Sequence, residues 1–126
     1  MICLDSSVLI DYFRKTNKTN SLLFKLQEEY TGFAVSIITE YEIYVGSKPN
    51  QMSFWDNLFQ GITVLPFDEK ACMNALEIHK DLKSRNQLIE IPDLFIAATA
   101  QSHNLPLATI NKKHFERIKN LNIVVP

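Results

Sequence analysis

Three carboxylates in this chain stand where a hydrophobic interior begins or ends. Asp5 closes the run Met1-Ile2-Cys3-Leu4-Asp5, and Glu42 lies inside Ser36-Ile37-Ile38-Thr39-Glu40-Tyr41-Glu42-Ile43. Asp93 opens Pro92-Asp93-Leu94-Phe95-Ile96-Ala97-Ala98-Thr99-Ala100. An acid pressed against apolar surface needs a partner, because desolvating an unpaired carboxylate is costly. A hard divalent cation is such a partner, and it would turn the three acids into a hydrolytic centre.

Each acid also has a plainer reading. Asp5 before Ser6-Ser7 suits a helix cap, although the two serines already offer capping hydroxyls. Thr39-x-x-Glu42 matches a capping box, and Glu40 competes with Glu42 for the active role. Helical spacing puts Glu42 beside Ile38, Tyr41 and Val45, read as core contacts, and turns Glu40 elsewhere. Asp93 in a first helical turn is favoured by the helix dipole, which also keeps it charged as a metal ligand must be.

Other chemistries fit worse. The chain has no G-x-G-x-x-G and no P-loop, so a nucleotide cradle is unsupported. Two cysteines, Cys3 and Cys72, cannot build a zinc knuckle and are read as reduced, buried and inert. His79, His103 and His114 lack metal-like spacing and are placed on helix surfaces. No G-x-S-x-G elbow accompanies Ser6 and Ser7. A phosphoacceptor receiver domain would need two adjacent acids after the first strand and a lysine after the last, and neither is present.

The elements that must position the acids follow from periodicity. Short apolar runs at Ile2–Leu4, Phe33–Val35, Ile62–Leu65, Pro106–Thr109 and Ile123–Val125 read as strands. Between them, helical spacing is expected through Val8, Leu9, Tyr12 and Phe13, then through Leu22, Leu23, Leu26 and Tyr30. It recurs over Ile38–Val45 with Gly46 at the C-terminal cap, and over Phe54, Trp55, Leu58 and Phe59. Three more helices are expected at Ala71–Leu82, Asp93–His103 and Asn111–Ile118. A loop is expected over residues 84–92. The aromatic stripe Phe54, Trp55, Phe59 is read as core or part of an interface. Strands alternating with helices imply an α/β fold with a mainly parallel sheet and helices on both faces. Ligands in such folds sit outside the carboxyl ends of the strands. Asp5, Ser36 and Thr109-Ile110-Asn111 all fall at such ends, so residues distant in sequence converge on one edge.

The 126 residues fit a single domain spanning 1–126. With 46% hydrophobic and 21% charged residues and only three glycines, the composition is that of a globular protein. Neither a signal peptide nor an apolar run of membrane-spanning length is visible, so a cytoplasmic protein is expected. The net charge of −1 gives no global nucleic-acid footprint. Two local basic clusters stand out: Lys80, Lys83 and Arg85, and Lys112, Lys113, Arg117 and Lys119. They are either solvated helix faces or grips for phosphates.

At these same residues the sequence resembles the PIN-domain proteins, and most closely the VapC family of toxin ribonucleases. Leu4-Asp5-Ser6-Ser7-Val8-Leu9-Ile10-Asp11 matches the opening block, with its acid at Asp5. Ser36 through Gly46 matches the second, whose acid falls on Glu42 and not Glu40. Ile91 through Ala100 matches the third, with its acid at Asp93. Leu107-Ala108-Thr109-Ile110-Asn111-Lys112-Lys113-His114-Phe115 resembles the closing block, and the four occur in the right order over the full length. The closing block often carries a fourth acid, where this chain has Asn111 and His114. Asn86 occupies a loop position where relatives often have glycine.

The resemblance implies a PIN-like three-layer α/β/α sandwich with about five strands. It implies a Mg²⁺- or Mn²⁺-dependent endoribonuclease, usually dimeric, held inactive by a small antitoxin through which operator DNA is bound. Asp5, Asp93 and Glu42 would be the catalytic and metal residues. Ser6, Thr39 and Asn111 would orient them, and Lys80, Lys83, Arg85, Lys112 and Lys113 would bind RNA. A PIN nuclease of RNA maturation shares this site. A catalytically silent PIN-like binding module is the reading that Asn111, in place of an acid, favours.

Overall fold

The central strand explains the layering. In the computed structural model, which describes all 126 residues, β1 (Ile2–Leu4) is completely buried. Side chains alternate across a strand. Ile2 and Leu4 therefore enter one hydrophobic core while Cys3 enters another. Strand β4 (Leu107–Ala108) divides in the same way, with Leu107 in the core of Cys3 and Ala108 in that of Ile2. With β2 (Phe33–Ser36), β3 (Thr63–Leu65) and β5 (Ile123–Val124), they form one sheet in the order β3-β2-β1-β4-β5. Every pairing in it is parallel.

Helices cover both faces, giving the three-layer sandwich. On one side lie α1 (Ser6–Arg14), α2 (Leu22–Leu26), α3 (Ile37–Val45) and α4 (Met52–Phe59), around Val8, Leu9, Leu22, Leu23, Leu26, Ile43 and Trp55. On the other lie α5 (Glu69–Ser84), α6 (Ile91–Ser102) and α7 (Lys112–Phe115), around Ala75, Ile78, Leu82, Leu94, Ile96, Ala97 and Phe115. Small alanines on α6 let it lie close to both the sheet and α5. No helix is long and apolar enough to cross a membrane.

Several expectations are corrected. Helix α6 begins at Ile91, not Asp93, because Pro92 is accommodated in the first turn, where a missing N–H costs nothing. Helix α7 ends at Phe115 rather than Ile118. The cap of α3 is Ser36, whose hydroxyl accepts from the Ile38 N–H, so Thr39 and Glu42 form no capping box. Tyr41 and Val45 are exposed rather than core, and the buried face of α3 is Thr39 and Ile43. Cys72 is exposed, while Cys3 is buried with its thiol pushed up to about 12, chiefly by desolvation. The aromatic stripe turns inward: Trp55 is buried, with its ring beside Phe13, Phe54 and Phe59. Asn86 has φ +53°, a left-handed backbone in which asparagine is the usual substitute for glycine.

Candidate active site

The strand order sets the location. The chain runs outward from β1 through β2 to β3, then returns to lay β4 on the other side of β1. The reversal opens a crevice at the carboxyl ends of β1 and β4. Asp5 follows β1 directly and Thr109 follows β4, so they face each other there. Thr109 Oγ1 donates to Asp5 Oδ2 at 2.9 Å. Ser7 Oγ donates to the same oxygen at 2.7 Å. Each hydroxyl in turn accepts from a backbone N–H, Ser7 from Ile110 at 3.1 Å and Thr109 from Asn111 at 2.9 Å. Accepting from the backbone leaves each O–H proton directed at Asp5 Oδ2.

Oδ1 of Asp5 is less engaged. Ser6 Oγ lies 3.5 Å from it, at the limit of a hydrogen bond, and donates instead to Glu42 Oε1 at 3.1 Å. Ser6 thereby joins the ends of β1 and β2, since α3 carries Glu42 directly out of β2. The buried Asp5 thus has one oxygen holding two hydroxyls and one only weakly engaged.

Asp93 arrives from the first turn of α6. Its Oδ2 lies 3.0 Å from Nδ1 of His114, on α7. The three acids sense one another. The Glu42 carboxyl is raised above its ordinary range, first by burial and then by the charges of Asp5 and Asp93, with the Ser6 hydrogen bond opposing. That of Asp93 is raised by burial and by Asp5, and the pairing with His114 offsets this only in part. The immediate hydrogen-bond and ion-pair partners of the three acids are hydroxyls and one imidazole, while Lys113 and Arg117 line the trough beside Asp93.

The structure brings some expected residues together and leaves others apart. Ser6 touches two acids. Thr39 is buried with its hydroxyl lacking any hydrogen-bond partner, so it orients neither. Asn111 contributes its backbone N–H to Thr109 and lines the trough beside Ser6 and Ser7 with its side chain. Lys112 and Lys113 open α7 next to His114, whereas Lys80, Lys83 and Arg85 belong to α5 and the turn after it. Arg85 is committed to Asp81 at 2.6 Å and to the Arg117 carbonyl at 2.6 Å. Sequence reasoning did not give Ser7, Thr109 and His114 these roles. Thr109 was visible as a polar residue ending a strand, the position where side chains face the crevice.

The all-parallel sheet with carboxylates at its switch point is the α/β arrangement of a PIN domain. The family model for the PIN domain matches residues 2–121, so the chain belongs to the PIN-domain family. Within it, the chain belongs with the VapC ribonucleases. Ribonuclease VapC1 of Methanocaldococcus jannaschii is 38% identical over 98% of this chain and 85% of its own length. Ribonuclease VapC2 of Haemophilus influenzae is 25% identical over 91% and 89%. Among solved structures, VapBC2 from Rickettsia felis, bound to a DNA fragment from its promoter, superposes with a TM-score of 0.88 at 26% identity. That match covers 100% of this chain and 99% of that one. VapBC-1 from nontypeable Haemophilus influenzae gives 0.83 at 27% identity, covering 99% and 98%.

Proposed function

We propose that this chain is a divalent-metal-dependent endoribonuclease and the toxin of a toxin–antitoxin pair. The observation that carries this reading is the meeting of Asp5, Glu42 and Asp93 at the switch point of the parallel sheet. The donor set suits Mg²⁺ or Mn²⁺, since all three acids offer hard oxygens. No three His, Cys, Asp or Glu side chains stand close enough to enclose an ion unaided.

In this reading Asp5 Oδ1 and Asp93 hold the cation, and Ser7 and Thr109 keep Asp5 aimed. The bound ion would acidify a water and offset the charge that builds on the phosphate during attack. Glu42, with its raised affinity for a proton, is suited to orient the attacking water and take its proton. Ser6 fixes the Glu42 carboxylate for that task. Lys112 and Lys113, and more remotely Lys80 and Lys83, grip flanking RNA phosphates.

The VapBC complexes favour a small antitoxin as partner, with operator DNA bound through it, and the family resemblance favours a homodimer in the cytoplasm. An exposed apolar trough of Ile38, Tyr41, Val45, Ile91, Pro92 and Phe95, with Glu42 in its lining, supplies a surface for a protein partner. The test is cleavage of a mixed RNA pool by antitoxin-free protein with Mg²⁺, Mn²⁺ or EDTA, beside Asp5→Asn and Asp93→Asn. Metal-dependent cleavage that disappears in both variants is expected. Cleavage surviving in EDTA would sink the reading.

A further inference from the structure

We propose that His114 is a positioning residue for Asp93: it holds one carboxylate oxygen through Nδ1–H and so sets the geometry in which Asp93 meets the cation. The proposal rests on the nuclease reading and adds a residue to its machinery. Three observations support it.

The first is the contact itself, Nδ1 to Oδ2 at 3.0 Å between two different helices. An imidazole has one N–H in its neutral form, and the hydrogen bond made by one nitrogen decides which tautomer is present. Donation to Asp93 requires the proton on Nδ1 and leaves Nε2 as the second polar atom of the ring. The second is exclusivity: His114 is the one side chain paired with Asp93, whereas Asp5 has three hydroxyls within 3.5 Å. Without His114 the Asp93 carboxylate is free to rotate about its last torsion. The third is anchoring: the neighbouring Phe115 is fully buried in the core that also holds Leu94 and Ile96 of α6. His114 is itself half exposed, so its backbone is held from below while its ring remains at the surface.

Where a fourth acid would add negative charge and its own demand for a cation, histidine supplies a donor to an acid already present. Partners that hydrogen-bond a metal-ligating carboxylate fix its orientation, and losing one weakens metal binding about 10- to 100-fold. The ring also lines the same trough as Glu90, Lys113 and Arg117, so Asp93 is held from the side that carries two cationic groups.

The experiment is calorimetric titration of purified protein with Mn²⁺ in the absence of RNA, for wild type, His114→Ala and His114→Asn. Each is followed by RNA cleavage as a function of Mn²⁺ and of RNA concentration. His114→Ala is expected to bind Mn²⁺ about tenfold more weakly. Its cleavage should recover at saturating Mn²⁺, and its KM for RNA should stay unchanged. His114→Asn, whose side-chain N–H stands near the place of Nδ1–H, is expected to restore most of the Mn²⁺ affinity. Thermal melting should find both variants folded, as expected for a side chain 53% exposed. Unchanged or tighter Mn²⁺ binding in His114→Ala would overturn the inference while leaving the nuclease reading intact. So would a loss confined to KM for RNA. A wild-type protein that neither binds Mn²⁺ nor cleaves RNA would overturn both.

Discussion

Asp5 and Asp93 stand near enough for the charge of one to act on the other, but they are held by opposite means. Asp5 is 3% exposed, and both hydroxyls on its Oδ2 are themselves locked by backbone N–H groups. Asp93 stands at a helix start with an 18% exposed side chain and a single, half-exposed imidazole as partner. One carboxylate is thus built into the sheet edge, and the other is adjustable. The contrast teaches that neighbouring acids need not be equally rigid: in the proposed nuclease, Asp5 would supply the fixed reference point and Asp93 would settle against an arriving ion.

The sharpest way to test the contrast is to neutralise each acid in turn. Asp5→Asn and Asp93→Asn should both lower cleavage by at least roughly 10²–10³-fold, the scale of losing one group that stabilises transition-state charge. They should part company in stability. Asp5→Asn presents an amide to hydroxyls oriented to donate, and is expected to cost about 1–3 kcal/mol in urea denaturation. Asp93→Asn removes a charge that burial and Asp5 both disfavour, and should be neutral or stabilising. Equal destabilisation by the two would erase the distinction.

Thr109→Val tests the fixed half without touching an acid. It deletes the donor to Asp5 and the acceptor for the Asn111 N–H at a fully buried position. A loss of about 1–3 kcal/mol is expected, together with slower cleavage that extra metal restores only in part.

A smaller effect should appear in the dependence of stability on pH. Glu42 and Asp93 are both raised in the folded state, so between the ordinary carboxylate range and their raised values the native protein holds more protons than the unfolded chain. Stability then falls as pH rises through that window and stays lower above it. Glu42→Gln and Asp93→Asn should each flatten that slope, and Mg²⁺ should restore stability on the alkaline side. Urea midpoints between pH 4 and 8 would show it. The smallest expected effect lies outside the acid cluster. Asn86→Ala should cost about 1–2 kcal/mol because alanine resists φ +53°, while Asn86→Gly should change little. Neither should alter cleavage.

The sheet, the layers and the three acids were legible because each rests on local pattern. Fully buried strands read as short apolar runs, and an acid bordering such a run stands out against it. What stayed hidden depends on pairing across the chain. Ser7 and Thr109 meet across 102 residues, and nothing in the spacing around either predicts the other. Tyr41 and Val45 misled because an apolar helix face reads alike whether it meets a core or solvent, so the argument for Glu42 from its neighbours had the wrong premise. The choice of Glu42 over Glu40 rests on the family resemblance, which implies what spacing leaves open. His114 passed as a surface residue because it is one; only the position of α7 beside α6 gives its ring something to hold.

The bond from Thr109 to Asp5 also bears on when this protein becomes dangerous. Its two ends are 104 residues apart, so the Thr109 end leaves the ribosome well after the Asp5 end. A nascent chain can display the Asp5-Ser6-Ser7 segment early, yet the acid there stays unaimed until β4 has docked beside β1. A ribonuclease made by reading RNA thus completes this edge of its sheet only after both of these distant segments have been translated.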